Sequence, residues 1–294
     1  MLPREVLRQV RRLQLRARRV VEGLFGGAYH SAFKGAGLAF DEVREYQPGD
    51  DVRAIDWNVT ARTGHPFVKR YIEERELTVV LAVDVSDSQG FSTRWQSKRQ
   101  VTAELAAVLA FSALANNDRA ALLQFSDRVE HYLPPRKGTR HVLRLIRDAF
   151  LCRPRGRGTS LRGGLDFLAR VLHRRAVVFL FSDFLDRAYE RQLRRTGRRH
   201  DLIAVRVSDP AEEELPDLGL LQWQDAESDV QGTLDTGSAR VREAYRAAAA
   251  ARREAVRRLT RQADADLIEA STAGGHLDAL LRFFRLRERR FRRP

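Results

Sequence analysis

A chain of 294 residues with 43% hydrophobic content buries a large core, which excludes a disordered or fibrous protein and leaves one large domain or two small ones. Its single cysteine, Cys152, excludes an internal disulfide framework and a multi-cysteine zinc site. A formal charge of +14 favours an acidic partner, whether nucleic acid, an anionic membrane surface or an acidic protein, although arginines scattered from Arg4 to Arg293 are also what a biased base composition produces.

Residues 1–26 are expected to form an N-terminal amphipathic helix. Val6, Val10, Leu13, Val20 or Val21, and Leu24 fall at helical spacing, with Arg8, Arg11, Arg12, Arg18 and Arg19 largely on the other faces. Such a basic helix suits an anionic membrane, but packing of its apolar stripe on the following domain is the favoured reading. After Gly26 and Gly27 helical periodicity is lost, Pro48-Gly49 marks a turn, and residues 27–75 read as a small, mostly β extension.

Residues 76–294 alternate strand and helix. Strands are expected near 77–83, 120–125, 177–181 and 202–207, and helices near 98–114, 141–150, 161–172 and 187–195. This rhythm implies a doubly wound α/β domain with a mainly parallel sheet. Its apolar runs are far shorter than the roughly 20 residues of a membrane span, and no signal-peptide pattern is present, so a cytoplasmic protein is expected. An inserted hairpin is expected at 211–238, followed by a helix at 239–262, a strand at 266–270 and a closing helix at 277–289.

The candidate chemistry lies at strand ends. Asp84-Val85-Ser86-Asp87-Ser88 closes the first sheet strand, so Asp84, Ser86 and Ser88 converge at the carboxyl edge, where open α/β sheets bind ligands. Gly156 and Gly158 let the backbone bring Thr159 close, and Asp183 ends the most apolar strand on the same edge. A hydroxyl-rich set with few carboxylates suits Mg²⁺, which keeps several waters in its octahedron; Mn²⁺ fits the same ligands. Asp87 is expected to face away. The competing reading is a pocket whose hydroxyls and carboxylates bond one another without an ion.

Asp84, Ser86 and Ser88, with the later Thr159 and Asp183, resemble the metal-ion-dependent adhesion site of von Willebrand factor A-like domains, and all five positions match. Ser182-Asp183-Phe184 stands where many members carry Thr-Asp-Gly, and Gln89 where Met commonly follows the second serine. Upstream, Phe40-Asp41-Glu42-Val43-Arg44-Glu45-Tyr46-Gln47-Pro48-Gly49-Asp50-Asp51-Val52-Arg53-Ala54-Ile55-Asp56-Trp57-Asn58 is similar to the hallmark of the bacterial family called domain of unknown function 58. The likeness continues through Ala61-Arg62 to Tyr71 and Glu76 and ends at Leu280-Leu281-Arg282-Phe283-Phe284.

That resemblance implies an adaptor or substrate-engaging partner of a MoxR-type AAA+ ATPase in a chaperone-like system, with a client protein as a second partner. Arg53, Trp57 and Arg62 are candidate partner-binding residues, since exposed tryptophan and arginine are common interface anchors. The alternative is a turn and ion-pair framework with Trp57 buried.

No Walker loop, no G-x-S-x-G elbow and no HExxH spacing occurs, so any ATP hydrolysis belongs to a partner and a non-enzymatic role is expected. A metal-dependent hydrolase would need a second carboxylate where Ser86 stands. A nucleic-acid-binding role is the other alternative, with salt-sensitive association independent of Mg²⁺.

Overall fold

The computed structural model describes residues 4–34, 42–48, 50, 52, 55–70, 76–93, 96–228 and 230–291. Helix α1 (Arg4–Val20) runs through a π turn at Val21–Phe25 directly into α2 (Gly26–Lys34). Helix therefore continues past Gly26-Gly27, where loss of periodicity was expected. Tertiary packing overrides the weak helix propensity of the two glycines. Tyr29 and Ala32 are buried, and the Tyr29 ring meets Phe284 edge-on at 5.9 Å. The Tyr29 hydroxyl donates to Asp118 at 3.2 Å; burial, reinforced by that carboxylate, holds its pKa well above the ordinary phenol value. Val10, Ala17 and Val21 are buried in turn, so the apolar stripe of α1 packs on the domain while Arg8, Arg11 and Arg12 stay exposed.

Strand β1 (Glu42–Glu45) pairs antiparallel with β2 (Phe67–Arg70), and α3 (Trp57–Thr63) lies between them in sequence. Asp56 caps α3 by accepting from the amides of Asn58 (3.0 Å) and Val59 (3.3 Å), and Gly64, at φ 79°, terminates it. Arg44 pairs with Asp50 at 2.6 Å beside the turn. Trp57 is 67% exposed, so the tryptophan of the turn and ion-pair framework is not buried.

The main domain proceeds through β3 (Thr78–Asp84), α4 (Lys98–Ala115), β4 (Arg119–Phe125), β5 (Val129–Arg136), α5 (Thr139–Leu151) and α6 (Leu161–Val171). It continues with β6 (Val177–Ser182), α7 (Glu190–Arg199), β7 (Asp201–Ser208) and the short α8 (Pro210–Glu213). The hairpin β8 (Leu220–Gln224) and β9 (Gln231–Asp235) precedes α9 (Ala239–Gln262), β10 (Asp266–Ser271) and α10 (His276–Phe291). The six-stranded sheet has the order β10-β7-β6-β3-β4-β5 and is parallel except for β5. That strand was not anticipated, because Pro134-Pro135 argues against a central strand. An antiparallel edge position tolerates both prolines, since one side of the strand needs no partner.

Alternation along β3 separates two cores. Val79, Leu81 and Val83 face the layer of α1, α2, α4, α5 and α10, whereas Val80 and Ala82 face α6, α7 and α9. Helix α10 fastens the ends of the chain together. Phe284 is fully buried beside Tyr29 and Phe33, and Arg287 lies over the Phe33 ring at 4.7 Å while pairing with Asp201 and Asp266. Among the described residues, no helix is long and apolar enough to cross a membrane.

His200, at the end of α7, is 2% exposed and neither ring nitrogen has a hydrogen-bond partner. Burial, with the charges of Arg199 and Arg175 adding to it, pulls its pKa from 6.5 down to about 4. Between those values the unfolded chain binds a proton that the folded chain does not, so stability is complete above pH 6.5 and falls as pH drops towards 4. Denaturant unfolding at about pH 7.5 and about pH 5 should show wild type losing about 2 kcal/mol more than a His200→Leu variant. Parallel losses in the two proteins would exclude His200 as the source.

Candidate functional site at the carboxyl edge of the sheet

Strands β3 and β6 are parallel neighbours, with Val83 opposite Phe181, so their carboxyl ends carry Asp84 and Asp183 to the same edge. One oxygen of Asp84 accepts from the Ser86 amide (3.0 Å) and hydroxyl (2.7 Å), and the other accepts from the Ser182 hydroxyl (2.7 Å). Ser86 Oγ stands 3.1 Å from Ser88 Oγ, and Ser88 Oγ donates to Asp183 Oδ2 at 3.1 Å. Asp84, Ser86, Ser88 and Asp183 thus form one continuous chain of oxygens. Three of them are buried and Ser88 is half-buried. Burial, aggravated by the nearby Asp183 charge and opposed by the Ser86 and Ser182 hydrogen bonds, pushes the Asp84 carboxyl up to about 7.

Asp183 has further partners that sequence reasoning missed. Its Oδ2 accepts from Gln89 (3.0 Å) and from the ammonium of Lys98 (2.8 Å), and its Oδ1 accepts from the Leu185 amide (3.2 Å). Lys98 is fully buried and reaches a second carboxylate, Glu212 of α8, at 2.6 Å. Burial by itself would lower the Lys98 pKa, but Asp183 and Glu212 more than reverse this and hold it above the ordinary lysine value. Lys98 is positioned by the helix start beneath it, where Ser97 and Gln100 form a reciprocal capping box. A cation in the first turn of a helix opposes the macrodipole, and that anomaly was the one local signal available for it.

Phe184 stands where the Thr-Asp-Gly pattern has its glycine, and it keeps the glycine-like backbone. It adopts φ 60°, the left-handed conformation that glycine takes without strain, while its ring is buried against Tyr189 at 6.2 Å. Its amide donates to Ser182 Oγ at 3.1 Å, which fixes the hydroxyl that supports Asp84.

Thr159 lies on a loop docked against the serine motif. The Asp87 amide donates to the Arg157 carbonyl (3.0 Å), and Asp87 turns to the Arg157 guanidinium (3.3 Å) rather than joining the oxygen chain. A Cβ at Gly156 would stand 2.1 Å from Asp127 Oδ1 and 2.5 Å from Ser126 Oγ, so a larger residue there would displace both side chains. The Thr159 side chain is engaged elsewhere. Its hydroxyl donates to Glu227 Oε1 at 2.6 Å and its amide to Glu227 Oε2 at 3.0 Å. The structure therefore brings four of the five expected residues into one run of neighbouring oxygens and puts Thr159 on the loop that docks on Asp87, paired with a carboxylate from the β8–β9 turn. No local pattern could have paired residues 68 positions apart.

Adjacent oxygens on an octahedral Mg²⁺ with bonds of about 2.1 Å stand about 3 Å apart. The separations along the chain, 2.7, 3.1 and 3.1 Å, are of that size and equally those of ordinary hydrogen bonds, so the hydroxyl-rich set is compatible with a shared cation and with direct hydrogen bonding alike. Among the described residues, no group of three or more His, Cys, Asp or Glu side chains could hold a metal, so a cation here depends on hydroxyls. Of the candidate partner-binding residues, Trp57 and Arg62 are exposed on α3, and Arg53 lies outside the described residues.

A family model described as "Protein of unknown function DUF58" matches residues 42–255. An uncharacterized protein of Mycobacterium tuberculosis is 35% identical over 283 residues, covering 95% of this chain and 89% of that protein. Among solved structures, the conserved hypothetical protein BatB from Bacteroides thetaiotaomicron superposes with a TM-score of 0.50 at 12% identity, covering 72% of this chain and 99% of BatB. An aerotolerance-related membrane protein from Bacteroides fragilis does so with a TM-score of 0.50 at 13% identity, covering 73% of this chain and 99% of that one. These two likenesses show the fold alone.

Because Lys98 neutralises two carboxylates inside the protein, Lys98→Met leaves Asp183 and Glu212 without their cation. The expected loss is about 3 kcal/mol in urea unfolding at neutral pH. A loss below about 1 kcal/mol would show that neither carboxylate depends on it.

Proposed function

This chain belongs to the DUF58 family, its sheet is of the von Willebrand factor A-like class, and we propose that it is a non-enzymatic protein-binding module that takes hold of a partner carboxylate through a divalent cation. Asp84, Ser86, Ser88 and Asp183 would hold the ion, with Thr159 joining from the adjacent loop. The observation that carries this reading is the convergence of two carboxylates and two serine hydroxyls on one edge of the sheet, each within about 3 Å of the next. A bound Mg²⁺ or Mn²⁺, surrounded mainly by neutral hydroxyls, would retain positive charge and offer a seat to an acidic side chain.

The chain's own residues arrange for this in three ways. Ser86 and Ser182 aim the Asp84 carboxylate. Gln89 and the Lys98 ammonium draw on Asp183, so the pair contributes less negative charge to an ion than two free carboxylates would. Gly156 allows the loop bearing Thr159 to approach. Exposed Trp57 and Arg62 supply a docking surface for a MoxR-type AAA+ ATPase, the partner class that the family resemblance implies. A cytoplasmic location belongs to the same proposal.

Lys98 also favours a second reading, in which its ammonium is the resident cation and the hydroxyls serve as hydrogen bonds only. The nucleic-acid reading is weaker, because many arginines are committed within the fold. Arg253 and Arg257 both pair with Glu269, which burial would raise but which these two guanidinium groups pull down to about 2. Arg287 and Arg195 are likewise paired with Asp266 and Asp166.

Titration with Mn²⁺, followed by calorimetry, separates the readings. Wild type should bind one ion, and Ser86→Ala with Ser88→Ala, or Asp84→Asn alone, should weaken binding at least about tenfold with an unchanged circular dichroism spectrum. No binding by wild type would reject the metal and leave Lys98 as the cation of the pocket. A purified MoxR-type ATPase should then be retained by wild type and released by EDTA, whereas retention indifferent to EDTA would reject metal-dependent capture.

A further inference from the structure

The β8–β9 hairpin is anchored at its base and reaches back to the body at its tip. At the base, Arg242 donates to the carbonyls of Thr236 (2.6 Å) and Gly237 (2.9 Å), and Thr236 Oγ1 donates to Gly219 (2.8 Å). Between base and tip the strands bury little, with Leu220 77% exposed and Trp223 43% exposed. The tip is internally ordered. Asp225 accepts from the Glu227 amide (3.2 Å) and the Ser228 hydroxyl (2.5 Å), and its own amide donates to Val230 (2.9 Å). This turn directs Glu227 onto Thr159, where both carboxylate oxygens are used.

The partner proposed above would bring an acidic side chain to the cation, beside Thr159. That neighbourhood already holds an acidic side chain belonging to this chain. Two carboxylates competing for one seat exclude each other by volume and by charge. The contact is strong enough to matter, since a charged acceptor receives two hydrogen bonds, yet the hairpin behind it has little apolar burial to keep it closed.

We propose that Glu227 is the built-in occupant of the partner's seat at Thr159, and that an incoming acidic segment is admitted by exchange with the hairpin tip. This deepens the preceding reading and rests on it for the identity of the incoming group. It also names that group's chemistry: a glutamate or aspartate on a tight, acid-rich turn, as in Asp225-Ala226-Glu227-Ser228.

The test uses the full chain. Without metal, Glu227→Gln and Glu227→Ala should speed amide hydrogen exchange at Thr159 and across residues 225–230 by about tenfold or more, with β3 unchanged. Unchanged exchange in both variants overturns the proposal. With Mn²⁺, a synthetic peptide copying residues 222–231 should bind Glu227→Gln at least about tenfold more tightly than wild type, and Thr159→Val should abolish the gain. Equal binding to wild type and Glu227→Gln also overturns it. Absence of Mn²⁺ binding would defeat the metal reading separately, while the exchange measurement, made without metal, still decides whether Glu227 holds the tip closed.

Discussion

Two carboxylates, Asp84 and Asp183, meet at the ends of neighbouring parallel strands in a place nearly closed to water, and much of the surrounding architecture answers the electrostatic problem this creates. Burial, with the neighbouring Asp183 charge adding to it, raises the pKa of Asp84. The fold responds with donors on every side. Ser86, Ser88, Ser182 and Gln89 turn hydrogens towards the pair, and a buried ammonium arrives from the first turn of α4. The ammonium needs a second counter-charge, so α8 delivers Glu212, itself held by the Asp209 amide at 2.9 Å. What looks in sequence like an isolated turn motif is therefore coupled to the helix that follows it and to α8, far along the chain.

The same arrangement limits what the site can do chemically. Its nucleophile candidates are serine hydroxyls that donate to carboxylates, and no histidine is among their partners. Activation of a serine needs a base that takes its proton, and a carboxylate already receiving several hydrogen bonds is a poor one. Capture of an external acidic group demands less. It requires a cation with unfilled coordination at a partly exposed rim, and Ser88 and Thr159 are the half-buried members of the set.

Outside the sheet, the N-terminal helices and α10 form a second structural unit built on aromatic contact. Phe284 meets Tyr29 and Phe33 edge-on, those two rings are tilted against each other, and Arg287 lies over Phe33 while bridging Asp201 and Asp266 at the ends of β7 and β10. This ties the first helices of the chain to its last one. The α3 segment differs, since its Asp56-Trp57-Asn58 string divides its labour: Asp56 caps the helix, and Trp57 is left in solvent.

The sequence by itself determined the parts whose cause is local. Apolar runs and helical periods placed the longer strands and helices from β3 to α10 within a few residues, and the strand-end positions of Asp84 and Asp183 followed from them, whereas the short α8 falls where an acidic loop is expected. Edge strand β5 escaped, because its prolines suppress the pattern that a sheet edge nevertheless accepts. The helical character of α2 escaped because Tyr29 and Phe33 acquire their apolar partners from α10, some 250 residues away. Only the tertiary structure decided that Lys98 lies on Asp183, that Glu227 lies on Thr159 and that Trp57 is exposed. Ion pairing and burial depend on which surfaces the packed layers bring within a few ångströms, and neither leaves a period or a spacing in the chain.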